Sequence, residues 1–394
     1  MAETEHGTAR QAGLLQPVVA GMLAAVVGFA SSFAVVLQGF AAVGATPAQA
    51  ASGLLALCVV QGPLAALLSW RWRMPIITAW STPGAALLVA TGMPEGGFPV
   101  AVGAFLLAAL LIVLAGLWRP FGRAVAAIPP SLANAMLAGV LLDICLAPMR
   151  AVGTMPLLAL PVVLAWALAW RFARLYAVPL AVAVAAAVIL LATPLPGEAL
   201  SDILPRPEWV APRFTAGAAI GIALPLFLVT MASQNVPGLA VLNANGYRPA
   251  PGPIFTATGL ASALIAPFGA HSLNLAAITA ALCAGRDAHP DPARRWVAAV
   301  AGGLAYVALG LGAGFAVAFI AASPPLLIQA VAGLALLGAL SGALHSALAR
   351  EAERIPAILT FVTAASGLGF LGIGAAFWGL LAGGALLLLE RGRR

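Results

Sequence analysis

The sequence predicts an all-α polytopic membrane protein of fourteen transmembrane segments, arranged as two inverted repeats of seven. Three observations predict it. The chain has 394 residues, 62% hydrophobic and only 8% charged, with mean hydropathy +1.05, whereas soluble domains hold about 25% charged residues. Apolar runs long enough to enter a bilayer follow one another from residue 14 to residue 389. Short motifs recur about half a chain length apart, the mark of an internal duplication.

The apolar runs are 14–37, 48–69, 75–91, 98–117, 124–147, 156–170, 176–192, 214–242, 253–267, 268–284, 296–320, 324–348, 355–367 and 369–389. The third, tenth and thirteenth are short or interrupted by Gly and Pro. All nineteen basic residues are Arg, and the positive-inside rule uses them to test this count. With the N-terminus in the cytoplasm, the cytoplasmic side holds sixteen: Arg10, Arg71, Arg73, Arg119, Arg123, Arg171, Arg174, Arg248, Arg286, Arg294, Arg295, Arg350, Arg354, Arg391, Arg393 and Arg394. The other side holds three, Arg150, Arg206 and Arg213. That asymmetry supports fourteen segments with both termini cytoplasmic.

A net charge of +7 does not point to nucleic acid, because the Arg residues fall between apolar runs and not in one patch. Cys58, Cys145 and Cys283 lie singly in apolar runs and suggest neither a disulfide framework nor a metal site. The four His show no ligand spacing, and no metal or cofactor is expected. His6, His289 and His345 fall in loops or near a segment end and read as ordinary polar residues. The first dozen residues are polar, with Glu3, Glu5, His6 and Arg10, and the run after them is too long for a cleavable signal.

The duplication rests on four matches. Gly44-x-x-Pro47-Ala48 recurs as Gly246-x-x-Pro249-Ala250, and Ala30-Ser31 as Ala232-Ser233, both at offset 202. Ala79-Trp80-Ser81 then Ala85-Ala86 recurs as Ala270-His271-Ser272 then Ala276-Ala277, at offset 191. Pro129-Pro130-x-Leu132-x-Asn134-Ala135 recurs as Pro324-Pro325-x-Leu327-x-Gln329-Ala330, at offset 195. Seven segments per copy is odd, so the second copy enters the membrane from the opposite side. The first repeat is 14–192 and the second 214–390, joined by an external linker, 193–213, carrying Glu198, Asp202 and Glu208. The Gly-x-Gly pairs at 310–314 and 367–374 read as close helix packing within helices.

The most informative stretch is 74–92. Ile76, Ile77, Thr78 and Trp80 favour extended backbone. Ser81, or Thr82 before Pro83, is the type that caps a helix N-terminus, and Pro83 the type that sits just inside one. A strand therefore runs into a helix that starts inside the membrane. Such a start leaves N–H groups and a positive dipole end unpartnered, and it is tolerated only where the backbone is buried in protein or faces a cavity. An anion is its natural guest. By the repeat, the partner stretch is 267–284, with its half-helix N-terminus near His271 and Ser272.

Ile77-Thr78-Ala79-Trp80-Ser81-Thr82-Pro83-Gly84, Pro129-Pro130-Ser131-Leu132-Ala133-Asn134-Ala135-Met136-Leu137-Ala138-Gly139 and Phe268-Gly269-Ala270-His271-Ser272-Leu273-Asn274-Leu275-Ala276 resemble the bacterial benzoate/proton symporter family. The likeness runs from about residue 14 to residue 390. It implies import of benzoate or a related aromatic acid with protons across the bacterial inner membrane. It also implies the seven-plus-seven fold shared with nucleobase permeases and anion exchangers, in which segments three and ten are half strand and half helix, a short strand preceding each helix. In that fold a core domain, 14–117 and 214–320, moves against a gate domain, 124–192 and 324–390. Nucleobase permeases of this fold hold a neutral base with acidic residues in segments eight and ten. Runs 214–242 and 268–284 contain no Asp or Glu, which agrees with an anionic substrate. Another small anion or a nucleobase, by symport or exchange, is the alternative. No nucleophile–base pair or metal cluster lies in the runs, so an enzyme is not expected. A homodimer stays open.

The candidate substrate-binding residues are Ser81, Thr82, Trp80, Ser31, Ser32, Gln234, Asn235, His271, Ser272 and Asn274. Ser81 and Thr82 are expected to hold a carboxylate at the helix N-terminus, against ordinary capping as the plain alternative. His271 is the one His well inside a core run, and an intramembrane ionisable group is a functional hypothesis by default. As imidazolium it would link proton and substrate binding. Its plain alternative is a neutral ring bonded to a carbonyl. Gln234 and Asn235 precede a Pro-Gly break and face protein or a cavity, as contacts or as glue between helices. Ser31, Ser32 and Gln38 are their counterparts in the first repeat. Asp143, the one acid well inside a run, is a second proton-coupling candidate or an interfacial charge. Asn134 and Gln329 are expected at the gate. Trp80, Phe29, Phe33 and Phe268 offer flat apolar walls for an aromatic ring.

Overall fold

The computed structural model describes residues 13–118, 120–121, 129–192, 205–276, 278–370 and 373–391. Glu3, Glu5, His6, Arg10, Arg119, Arg123, Glu198, Asp202, Ala277, Arg393 and Arg394 lie outside the described residues.

The elements follow the apolar runs. They are α1 (Leu15–Ala42), α2 (Pro47–Trp72), β1 (Thr78–Trp80), α3 (Thr82–Thr91), α4 (Phe98–Leu117), α5 (Pro130–Thr154), α6 (Pro156–Phe172) and α7 (Ala177–Ala192). After the linker come α8 (Ala216–Ala244), α9 (Pro251–Ile265), β2 (Leu273–Leu275), α10 (Ile278–Ala284), α11 (Trp296–Leu311), α12 (Ala313–Ala321), α13 (Pro325–Leu348), α14 (Arg354–Ala365) and α15 (Ala375–Arg391). Among the described residues, eight helical stretches are long and apolar enough to cross a membrane, or nine if α11 and α12 form one bent span. The remaining runs are shorter or broken.

Proline and glycine set the boundaries, and they do so alike in both halves. Pro129 and Pro324 precede Pro130 and Pro325, the first residues of α5 and α13, with nearly equal backbone angles (φ −57°, ψ 122° and φ −57°, ψ 120°). Proline is tolerated there because its missing N–H falls among the unpaired donors of the first turn. Gly44 and Gly246 both take the left-handed region, at φ 94° and 87°, ahead of α2 and α9. Thr46 and Gln49 close α2 with a capping box, Gln49 N–H to Thr46 Oγ1 at 3.2 Å and Thr46 N–H to Gln49 Oε1 at 3.0 Å.

Helices α1 and α2 pack on α11, α4 on α9, α5 on α13 and α14, and α14 on α15. Small residues let backbones touch, as membrane helices require: a Cβ on Gly62 of α2 would lie 2.3 Å from the Gly303 carbonyl oxygen of α11.

Two expectations are corrected. The run 296–320 is not one rod, since α11 and α12 meet at 53° across Gly312, where glycines at 310 and 312 weaken the helix. Gly367, Gly369 and Gly374 lie between α14 and α15 and not inside a helix, with Gly367 at φ 67° and an isolated bridge between Phe370 and Ile373.

Segments three and ten are part strand and part helix, and they meet. β1 and β2 pair antiparallel with Thr78 opposite Leu275, Ala79 opposite Asn274 and Trp80 opposite Leu273. The main chain adds a rung at each end, Ala276 N–H to the Ile77 carbonyl at 2.9 Å and Ser81 N–H to the Ser272 carbonyl at 3.1 Å. Strand backbone inside an apolar bundle has no water to bond, so each interrupted segment supplies the other's partners.

Candidate functional site

The crossing of the two segments gathers most of the polar candidates. Ser81 caps α3 as expected, its Oγ accepting from Gly84 N–H at 3.1 Å. The same oxygen accepts from the Thr230 hydroxyl of α8 at 3.0 Å. Its carbonyl accepts from Ala85 N–H at 2.8 Å and from His271 Nε2 at 2.9 Å. A carbonyl cannot donate, so Nε2 carries the proton and the tautomer is fixed by this bond. The imidazole ring stands edge-on to Phe40 and Phe105, at 5.5 and 6.4 Å between centroids. His271 meets Ser81 through the carbonyl and not the hydroxyl, so the pair is not a nucleophile with its base.

The position of His271 and Ser272 differs from the expectation. They lie before β2, and helix α10 is described only from Ile278, so they do not form a half-helix N-terminus. β1 and β2 start 195 residues apart, at Thr78 and Leu273, the same spacing as the paired prolines of α5 and α13. At that spacing Ser81 aligns with Ala276, which has no capping side chain. Instead, His271 and Ser272 flank the first turn of α3.

Around this centre, Trp80 is buried, and its Nε1–H donates to Ser32 Oγ at 2.9 Å. Its ring meets Phe29 and Tyr306 edge-on, at 5.9 and 5.6 Å, and Phe33 stacks on Phe29 at 5.3 Å. Ser31 and Ser32 both donate back to the Gly28 carbonyl. Asn235 of α8 accepts from Leu275 N–H at 3.0 Å and donates to Met231 Sδ, so its amide fastens α8 to β2. It sits, with half-buried Gln234, in a π-helical turn over Met231–Asn235, a distortion frequent at functional sites. Thr82, the first residue of α3, is half-buried. Asn274 donates to the Leu275 carbonyl. Three buried polar atoms at the crossing, His271 Nδ1, Ser272 Oγ and Asn274 Oδ1, have no hydrogen-bond partner among the described residues.

Other candidates fall elsewhere. Asp143 is 76% exposed and ion-paired with Arg150 at 2.7 Å, at the surface of α5. Gln329 is exposed on α13. Phe268 meets Trp209 edge-on at 5.6 Å between centroids. Asn134 lines a cavity of about 1270 Å³ between α4, α5, α8, α9 and α15. None of the ten candidate substrate residues lines it. Its wall residue Met231 accepts through Sδ from Asn235, which in turn holds Leu275 of β2.

Thr230 went unnoticed in the sequence, although it opens the polar run Thr230-Met231-Ala232-Ser233-Gln234-Asn235. So did Gln61, whose buried amide has no partner among the described residues; so does that of Gln38. A buried polar residue in an apolar run was the available signal. No group of three or more potential metal ligands occurs among the described residues.

Comparison with known proteins accords with this geometry. Residues 13–389 match the family model described as benzoate membrane transport protein. The inner membrane protein YdcO of Escherichia coli is 42% identical over 371 residues, covering 93% of this chain and 94% of that one. The benzoate membrane transport protein of Acinetobacter baylyi is 34% identical over 376 residues, covering 95% of each. In three dimensions the chain is similar to the transmembrane domain of the cyanobacterial bicarbonate transporter BicA, at TM-score 0.58 and 16% identity, covering 94% of this chain and 97% of that one. It is also similar to SLC26A9, at TM-score 0.64 and 13% identity, covering 95% of this chain and 65% of that one. These two likenesses concern the fold alone. An interrupted pair of segments crossing in a multi-pass bundle, with a family match over nearly the whole length, identifies a membrane transporter and not an enzyme: the chain belongs to the benzoate membrane transport protein family.

Proposed function

We propose that the protein imports benzoate or a related aromatic carboxylic acid together with protons across the inner membrane. The fourteen segments form inverted repeats 14–192 and 214–390. The core, 14–117 and 214–320, moves against the gate, 124–192 and 324–390, exposing the site to one side at a time, with both termini cytoplasmic. The carboxyl group lies toward Ser81 and Thr82 at the start of α3, and the ring against apolar walls.

The observation that carries this reading is the antiparallel pairing of β1 and β2. Equivalent strands of inverted halves run in opposite directions, and secondary transporters bind substrate where such broken segments meet. Two further points support it. A relative at 34% identity bears the name of a benzoate transport protein. Among the described residues the crossing holds amides, hydroxyls and one imidazole but no carboxylate, which suits an acid better than a nucleobase.

The test is uptake of labelled benzoate into proteoliposomes with an imposed pH gradient. Concentrative uptake that collapses with a protonophore, and that uracil and sulfate do not displace, supports the reading. Displacement by uracil or sulfate assigns a different substrate. Uptake that only equilibrates makes the protein a passive channel.

A further inference from the structure

The turn between α6 and α7 carries a group of aromatic and cationic side chains that the transport reading does not use. Trp166 and Trp170, one helical turn apart on α6, stack at 5.1 Å between ring centroids. The guanidinium carbon of Arg174 lies over the Trp170 ring at 4.2 Å, and that of Arg171 over the Phe172 ring at 5.4 Å. Both Arg are exposed, and among the described residues neither meets a carboxylate within ion-pairing distance. Stacking holds each long side chain near one position and leaves its N–H groups to other acceptors.

The helix that leads to this turn has two unlike sides. Helix α6 packs on α5, α7 and α13, and its Ala159 and Val162 are buried in a cluster with residues of all three. The other side is an apolar row, Leu160, Leu164, Leu168 and Phe172, rising from 43% exposed at Leu160 to 80% at Phe172. Residues four apart share one face of a helix, and Arg171, three on from Leu168, belongs to the same face. In a bilayer such a row meets acyl chains, while the turn at its end lies among the headgroups, where aromatic rings and Arg heads settle. The surface is thus an apolar track of about three helical turns that ends in two cations. A zwitterionic headgroup brings an ammonium beside these guanidinium groups, with no described carboxylate there to receive it. A headgroup of net negative charge meets only attraction.

We propose that the α6–α7 turn is a binding surface for an anionic phospholipid. Arg171 and Arg174 take the headgroup phosphate, and an acyl chain lies along Leu160, Leu164, Leu168 and Phe172. The bound lipid anchors the α6–α7 pair at one depth in the bilayer.

The test is native mass spectrometry of the purified full-length protein in detergent, with added phosphatidylglycerol or phosphatidylcholine of the same acyl chains. Wild type should retain phosphatidylglycerol in preference to phosphatidylcholine. Arg171→Gln and Arg174→Gln should each weaken phosphatidylglycerol binding about fivefold, and the double variant about thirtyfold. Unchanged phosphatidylcholine binding in these variants shows that they fold. Arg248→Gln, in the turn between α8 and α9, should alter neither lipid. Equal retention of the two lipids, or an equal loss in Arg248→Gln, overturns the proposal in favour of diffuse surface charge. Glycerol phosphate, which lacks acyl chains, should not displace the lipid; displacement makes this a site for a free anion and overturns the lipid assignment. Leu168→Cys should stay unlinked in native membranes. A disulfide-linked dimer of that variant places a second copy of the chain on this face and overturns the proposal.

Discussion

The Ser81 amide donates to the Ser272 carbonyl at 3.1 Å, one rung beyond the pairing of Trp80 with Leu273. Through that rung the two-stranded ladder runs directly into the first turn of α3. A helix start inside the bundle is thereby held by backbone from the other half of the chain. Moving either interrupted segment alone breaks the ladder, so the two move as one body.

The hydroxyl of Ser81 serves Gly84 N–H and Thr230 at once. Ser81→Ala removes a cap worth about 1 kcal/mol and leaves a buried Thr230 hydroxyl unpaired, for a total loss of about 2 kcal/mol. Adding Thr230→Val to Ser81→Ala should cost little more, because both partners are then apolar. Thermal unfolding of the four proteins in detergent checks this; fully additive losses would mean that the two hydroxyls do not interact.

His271 offers a sharper distinction. Its Nε2–H donates to the Ser81 carbonyl, and the amide of Gln supplies an N–H at similar reach without titrating. His271→Gln should keep proton-driven uptake within about threefold, a barrier change below about 0.7 kcal/mol. His271→Leu should destabilise the protein by about 1–3 kcal/mol through the unpaired carbonyl. Loss of coupling in His271→Gln with substrate binding intact would make the imidazole the proton carrier.

Far from the crossing, Glu353 ties three elements. Its carboxylate accepts from Ser131 of α5 at 2.5 Å and pairs with Arg350 at 3.4 Å and with Arg391 of α15 at 3.3 Å. The Ser131 hydroxyl, then the two Arg, hold its carboxyl below the usual value of 4.5 against the opposing effect of burial. A depressed carboxylate adds stability above its ordinary pKa and loses it as pH falls through the folded value. Wild type should exceed Glu353→Gln by about 1–2 kcal/mol at neutral pH. The gap should hold down to about 4.5 and close below it. A gap unchanged well below that pH would mean that the charge contributes nothing.

Arg295 is 4% exposed and donates to the carbonyls of His289, Ala284 and Pro290 at 2.7, 2.8 and 3.3 Å. Ala284 ends α10, so the guanidinium both caps that short helix and meets its negative end. Arg295→Ala should cost about 3 kcal/mol, and Arg295→Lys about half, because an ammonium lacks the planar fork. Equal melting temperatures for the two variants would contradict this.

Segment three was legible because its residues speak locally: Ile76, Ile77, Thr78 and Trp80 favour extension, and Ser81 and Pro83 mark a helix start. Segment ten was legible only through the resemblance, which implied a strand before its helix, and not from its own residues. Leu273-Asn274-Leu275 has no β-branched residue, so its extension comes from pairing with β1 and not from propensity. Matching Ala270-His271-Ser272 to Ala79-Trp80-Ser81 used identities that are cheap in an Ala-rich chain, and it placed the second helix start too early. The pairing of prolines at α5 and α13 was sound because proline acts through its own ring, whatever surrounds it. The cavity was invisible, since its walls come from five helices distant in sequence. Asp143 shows a related limit: an apolar run does not reveal which face of its helix a residue takes, and the exposed position and Arg150 pair of Asp143 come from the fold.

The most direct measurement is a structure with 4-iodobenzoate, located by the anomalous signal of its iodine. The account predicts an iodine peak in the cavity between α4, α5, α8, α9 and α15, with the carboxyl group turned toward Ser81 and Thr82. A peak elsewhere on the molecule, or saturable binding with the cavity left empty, would contradict it.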